Sequence, residues 1–433
     1  MLARLTLLVV TCIVGLPATA RSQAFMRTGL SARALGMGGT SAASVVDAGA
    51  VHHQPAGIVQ LTGTHLLVTG FASADDGRLT VFGDREYDEE DGLRLDGSFF
   101  VTHQVAQGVT AGVSVTEPWF LDIDWERPTS FAGRFRASEA QLRTIAVSPV
   151  VAFGPLGRWS VAGGIEALHS DLNLQRFEHD PTLSALGGGE PISLARTTIE
   201  SDATGVGWMA SAAFRPEPRI TLAATYHSEM EIVYNGFADF LIVAPEPLQD
   251  VVLPDGETTV RNLLDDRFID RPVRIPLVFP RRVVAGISVR PFDRLELAFD
   301  AGWTDRGAVD SLAVLYADSI LDDSTPWPQR GGWDLHVGSE LVVRDGMRVR
   351  LGYAWEDSRG PAAAITPFAP ASSADAVSGG IGLAWEGLAV DIGYRLTFYD
   401  DAEGVAFPLN TASADGVYES IEHRLAIGVS RAF

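Results

Sequence analysis

Cysteine is nearly missing from the 433-residue chain: the only one is Cys12. Cys12 lies inside an apolar leader, so the mature chain has neither a disulfide framework nor a thiolate metal site. Long hydrophobic runs are also missing. After the leader no stretch approaches 18 consecutive apolar residues, which excludes a membrane-spanning helix. A strand-built span is not excluded, because it needs only alternating hydrophobicity over about 10 residues. Positive charge is scarce, with 33 Lys and Arg against 55 Asp and Glu, and a chain of net charge −22 repels nucleic-acid phosphates. No glycine-rich phosphate loop, zinc helix or serine elbow occurs. Nothing singles out a Ser/His hydrolase pair, and His52-His53 has no carboxylate or cysteine to complete a metal set. The chain is therefore read as a non-enzyme with no metal and no cofactor. No fixed repeat period is visible.

What is present begins with a secretory leader over residues 1–24. Arg4 forms its positive start, Leu5 to Leu16 its apolar centre, and cleavage after Ala24 is preferred over the site at Ala18-Thr19-Ala20. The residues before Cys12, Val9-Val10-Thr11, match a lipid-attachment site poorly. Removal of Arg4 and Arg21 takes the formal charge from −22 to −24.

Ser31 to Gly57, SARALGMGGTSAASVVDAGAVHHQPAG, is too rich in glycine and alanine for an ordinary strand or helix. Gly36, Gly38 and Gly39 permit backbone angles closed to other residues, which suits a compact plug in a narrow space. A flexible linker is the alternative.

Beyond Gly57 the sequence alternates with period two. Leu388, Val390, Ile392, Tyr394, Leu396 and Phe398 share one face, and Ala389, Asp391, Gly393, Arg395 and Thr397 share the other. Fourteen such segments fall near 64–74, 94–105, 107–122, 137–153, 158–176, 194–215, 218–236, 272–290, 292–304, 332–344, 346–357, 375–386, 388–399 and 418–433. Tight turns such as Ala106-Gln107-Gly108 and Glu386-Gly387 alternate with long connections, among them Asp75 to Gly92, 177–193, 237–271 and Gly360 to Ala374. An even strand number with short turns at one end and long loops at the other is the layout of a bacterial outer-membrane barrel. A closed sheet pairs every backbone group within the protein and leaves no edge in hydrocarbon.

The expected fold is therefore all-β: a transmembrane antiparallel β-barrel of about 14 strands, its lumen plugged by an N-terminal hatch. Residues 1–24 are the signal peptide, 25–62 the hatch and 63–433 the barrel. Asp300, Asp334, His336, Glu340, Arg348, Arg350, Asp391, Arg395, Glu422 and Arg424 should line the lumen, where mutual pairing would hold a plug in place. Trp125, Trp303, Trp327, Trp333, Trp355 and Trp385 lie near segment ends, as an interfacial girdle requires. The aromatic terminus Phe433 suits outer-membrane assembly.

These residues resemble the FadL-like transporters of long-chain fatty acids and other hydrophobic compounds. The pattern's order is followed by Arg33-Ala34, Gly36, Gly38-Gly39, Asp47-Ala48, Ala50 and Pro55-Ala56-Gly57. The family's Asn-Pro-Ala signature stands here as Gln54-Pro55-Ala56, a departure bearing on how the hatch docks. The similarity continues through Glu117-Pro118, Pro128, Phe131, Gly133-Arg134-Phe135, Phe279-Pro280 to Trp303-Thr304, Gly352-Tyr353 and Gly360-Pro361. It covers nearly the whole mature chain, through loose motifs that persuade by their order.

The resemblance implies ligand capture outside, passage past the hatch, and sideways exit into the membrane at a kinked third strand. Glu117-Pro118 is the gate candidate, since proline removes a ladder donor. Phe25 and Met26 are candidate lumen lining. Phe237, Phe240 and Leu241 open the 237–271 loop as an apolar patch that either receives a ligand or packs over the mouth. Outer-membrane lipids and a hydrophobic small molecule are the implied partners of a chain expected to be monomeric. A docking component of secretion machinery is the alternative function. A diffusion porin is disfavoured by the hatch.

Overall fold

The computed structural model describes residues 26–44, 47–81, 85–90, 92–186, 191–254, 256–308, 311–319, 321–326, 330–357, 373–409 and 412–433. The leader, Phe25, Trp327 and Gly360-Pro361 lie outside the described residues.

Fourteen antiparallel strands close into a barrel. They are β1 (Thr64–Val81), β2 (Arg94–Ala106), β3 (Val109–Thr116 and Phe120–Asp124), β4 (Glu139–Leu156), β5 (Trp159–Glu178), β6 (Ala195–Glu217) and β7 (Ile220–His227 and Met230–Ile242). They continue as β8 (Arg271–Phe279 and Arg282–Phe292), β9 (Leu295–Thr304), β10 (Gly332–Arg344), β11 (Met347–Glu356), β12 (Ala374–Trp385), β13 (Leu388–Tyr399) and β14 (Ala412–Ala432). Closure is made by β1 against β14, in register from His65 opposite Ala432 to Val81 opposite Gly416. Among the described residues no helix is long and apolar enough to cross a membrane. The chain crosses with strands.

The alternation of the sequence is the alternation of the wall. Along β4, Leu142, Ala146, Ser148, Val150 and Ala152 are buried inside, while Ile145, Val147, Val151 and Phe153 face outward. At the tight-turn end, Glu386 and Gly387 both take positive φ, 47° and 79°, the conformation that matches a two-residue hairpin to the twist of its strands. The opposite end carries the long connections, which add short helices α3 (Pro181–Leu186), α4 (Glu246–Gln249) and α5 (Val260–Arg267) and the strand pair Ser311–Tyr316 with Asp323–Pro326. The two remaining helices precede the barrel: α1 (Ala32–Gly36), capped by the Ser31 hydroxyl on the Ala34 amide, and α2 (Ala50–His53), followed by a 3-10 turn over Pro55–Gln60.

Two expectations change. β7 runs to Ile242, so Phe237, Phe240 and Leu241 belong to a strand and not to a loop. Their alternation continues that of Ile232, Tyr234 and Ala238, which are buried. Trp125 is not part of an outer girdle: it is 1% exposed and stacked on Phe131 at 4.4 Å, inside an apolar cluster with Leu79, Val81 and Tyr418.

Candidate functional site

Residues 26–60 pack against inward-facing side chains on both halves of the wall. On one side Arg33 Nε donates to Glu340 Oε2 at 3.1 Å and Arg33 Nη2 to Ser44 Oγ at 2.8 Å. Glu340 also accepts from Arg350, which reaches Asp391 at 2.6 Å. Asp300 accepts from the backbone amides of Ser41 and Ala42 at 2.7 and 2.8 Å, and His336 Nδ1 lies 2.6 Å from the Gly38 carbonyl. Glycine is required at this seam. Gly38 has φ +71°, and a Cβ there would sit 2.7 Å from the Tyr353 amide nitrogen. On the other side Val51, Ala56 and Ile58 join Phe100, Val150, Ala152 and Met209 in one apolar cluster.

The wall itself is interrupted. The β1–β2 ladder continues up to Arg94, whereas the β2–β3 ladder among the described residues stops at Phe99 opposite Val115. Above that point β3 breaks at Glu117-Pro118 and resumes at Phe120, in register with β4 from Phe120 opposite Arg143 to Asp124 opposite Glu139. Proline lacks the N–H a continuous strand needs, and the Trp119 amide turns instead to Thr144 Oγ1 at 3.1 Å. Breaks at Ser228-Glu229 in β7 and Pro280-Arg281 in β8 lie across the same cavity, since Ser228 and Pro280 line it together with Pro118 and Trp119.

The N-terminal residues occupy the gap. Met26 forms an antiparallel bridge with Trp119, and the Arg27 amide donates to the Pro118 carbonyl at 2.9 Å. The Arg27 guanidinium pairs with Asp96 on β2 and with Glu117 at the β3 break, at 2.8 Å to the latter, so one cation ties both sides of the gap. Arg94 adds a second tie to Asp122 at 3.2 Å. Beneath them opens a cavity of about 820 Å³, including its mouth, lined by Met26, Trp119, Met230, Arg282, His52 and His53 among others.

A barrel closed at fourteen strands has known counterparts. The chain belongs to the outer membrane protein transport protein family (OMPP1/FadL/TodX). The family model matches residues 13–419. Among solved structures, a Pseudomonas aeruginosa FadL homologue superposes with a TM-score of 0.82 at 17% identity, over 95% of this chain and 100% of that one. The Pseudomonas putida toluene transporter TodX gives 0.72 at 14% identity, over 94% of this chain and 98% of that one. The Ralstonia pickettii toluene transporter TbuX gives 0.66 at 14% identity, over 94% and 98%. At these identities the likeness is one of fold. No curated protein sequence matches the chain. Family membership makes it a transporter of hydrophobic compounds in the outer membrane.

Within this FadL/TodX-type barrel the residues singled out from sequence fall in three places. Arg33, Gly36, Gly38 and Gly39 lie at the β10–β13 seam; a Cβ on Gly36 would meet Gly380 at 3.1 Å. Asp47 accepts from the Gly49 amide, and Gln54, Pro55, Ala56 and Gly57 are buried toward β3–β6. Gln54, where the family has asparagine, is 0% exposed, and neither amide atom has a hydrogen-bond partner. Met26, Glu117 and Pro118 meet at the gap. Phe237 and Leu241 are exposed on the outer face of β7, while Phe240 packs near Phe268 and Tyr316 under the long loops. The sequence reading missed Arg27, Asp96, His227 and Glu166. Only their coming together in space marks them.

Proposed function

We propose that this protein takes up hydrophobic small molecules by capture among the long loops, passage beside an N-terminal hatch, and lateral exit through the gap between β2 and β3. The observation that carries the reading is the coincidence of three things at one place: the β3 break, the cavity, and an N-terminal segment bonded to both edges. The segment 26–62 acts as the hatch, held by the buried pairs of Arg33 with Glu296 and Glu340 and releasing its first residues at the gap. Capture is assigned to the apolar cluster of Leu183, Leu194, Leu248, Leu264 and Phe268, which Phe240 joins from β7.

Exit to the side follows from solvation. Each CH₂ costs about 0.8 kcal/mol to move into water, so an apolar ligand leaves more easily into the bilayer than into the periplasm. Toluene is what the solved relatives TodX and TbuX are named as transporting, and a long-chain fatty acid is the other class the family resemblance implies.

A continuous third strand tests the reading. Replacing Glu117-Pro118 with Val-Thr restores the missing donor and removes one of the two carboxylate partners of Arg27. Reconstituted protein should keep the heat-modifiable mobility of a folded barrel and lose uptake of a labelled hydrophobe. Unchanged uptake would contradict lateral exit.

A further inference from the structure

The cavity lining contains polar side chains that a hydrocarbon does not use. His52 and His53 of α2 meet His227 of β7 there, with ring centroids of His52 and His227 5.1 Å apart and those of His52 and His53 5.3 Å apart. Of the ring nitrogens on these three residues, only His227 Nδ1 is hydrogen-bonded, to Glu166 Oε2 at 3.3 Å. His52 Nδ1 and His53 Nε2 are buried without a partner. An unpaired buried polar atom costs about 1–3 kcal/mol, so a group of them calls for a ligand that completes them.

The charges in the lining decide which ligand. Arg282 is spent on Asp334 at 2.6 Å, and Arg27 on Asp96 and Glu117. His336 is spent on Asp334 at 2.9 Å. Glu166 and Asp300 add negative charge to the same wall. Burial lowers His52 to about 4 and also lowers His53, so both imidazoles stand neutral at physiological pH, each offering one donor and one acceptor. A carboxylate, which only accepts, meets two carboxylates and no free cation. A hydroxyl both donates and accepts. The same lining also carries the apolar side chains of Met26, Trp119, Met230, Pro280 and Val284.

We propose that the cavity is a site for an uncharged hydroxylated hydrophobe, a phenol-type molecule whose ring lies against Trp119 and Met230 and whose hydroxyl bonds the His52–His53–His227 group. This rests on the transporter reading above and names its ligand class.

Binding is measured by calorimetry on the full mature chain in detergent at pH 7.5, with p-cresol, toluene and laurate as probes. p-Cresol should bind about tenfold or more tighter than toluene, because a site with unpaired polar groups penalises the analogue lacking the hydroxyl, and laurate should bind more weakly than p-cresol. The double variant H52L/H53L should bring the p-cresol to toluene ratio to near one while toluene binding persists, and H53N should recover part of the preference. Circular dichroism and heat-modifiable mobility establish that each variant is folded. Equal affinity for toluene and p-cresol, tighter laurate, or a preference that survives H52L/H53L would overturn the assignment and leave the transporter reading in place. Failure of all three probes to bind would overturn both.

Discussion

Arg27 donates to Glu117 at 2.8 Å beyond the point where the β2–β3 ladder ends at Phe99 and Val115. The same guanidinium pairs with Asp96 on β2 and lies 3.9 Å over the Phe120 ring. A cation held by two carboxylates and a ring face is a stronger tie than either pair alone, and it is tied to the chain's own N-terminus.

The anchor of the N-terminal segment is elsewhere, and it is predicted to stay put. Arg33 is 4% exposed between Glu340 and Glu296. Arg33→Ala leaves Glu296 and Glu340 short of a buried partner, a loss of about 3–5 kcal/mol by comparison with other broken buried pairs. Hydrogen exchange should show residues 26–62 losing protection while β1 to β14 keep theirs. Equal protection in the variant would mean the ion pairs do not seat the segment.

Close backbone approach gives a second prediction. A Cβ on Gly352 would collide with the Gly38 amide and the Met37 carbonyl carbon, although Gly352 sits in unbroken register between Gly338 and Ser378. Gly352→Val should therefore leave the barrel folded and make the N-terminal segment sensitive to protease. A protected segment in a folded variant would show that the seam can give way.

Much of this was legible from residues alone. Alternation in 388–399 gave β13 with its bounds, because one-sided burial fixes a period of two, and Pro118 marked a candidate break because proline has no ladder donor. Charges such as Glu340 and Arg350 were readable as inward-facing by parity. What parity cannot give is partnership across long separations: Arg27 with Asp96, or His52 with His227, share no spacing rule. Phe237 to Leu241 misled because an apolar run at a strand's end has the composition of an apolar loop. Trp125 misled because its position near a segment end does not say whether a loop folds over it.

The loops supply a pH prediction. Glu89, outside the strands, is buried beside Trp125 and accepts from the Tyr418 hydroxyl at 2.7 Å. Burial is the largest cause pushing its carboxyl up to about 7 from 4.5, with Asp122, Asp76 and Asp124 adding to it. A raised carboxyl favours the folded loop while protonated, so its contribution is full below pH 4.5 and is lost as pH rises through 7. Exchange of the residue 85–90 amides, corrected for intrinsic pH dependence, should quicken over that window, and Glu89→Gln should flatten the response. A loop equally protected at pH 4.5 and 8 would refute this role.

The central claim is that transport requires Met26 and Arg27 to leave the β3 gap. Met26 and Trp119 oppose each other in an antiparallel bridge, a spacing of about 4.5–5.5 Å between Cα atoms and within reach of a disulfide. The sequence after the leader contains no other cysteine, so the double variant M26C/W119C forms this bond or none. Uptake of a labelled hydrophobe into proteoliposomes should stop in the oxidised protein and return on reduction. Equal uptake in the oxidised and reduced forms, with the disulfide verified by mass, would contradict the account.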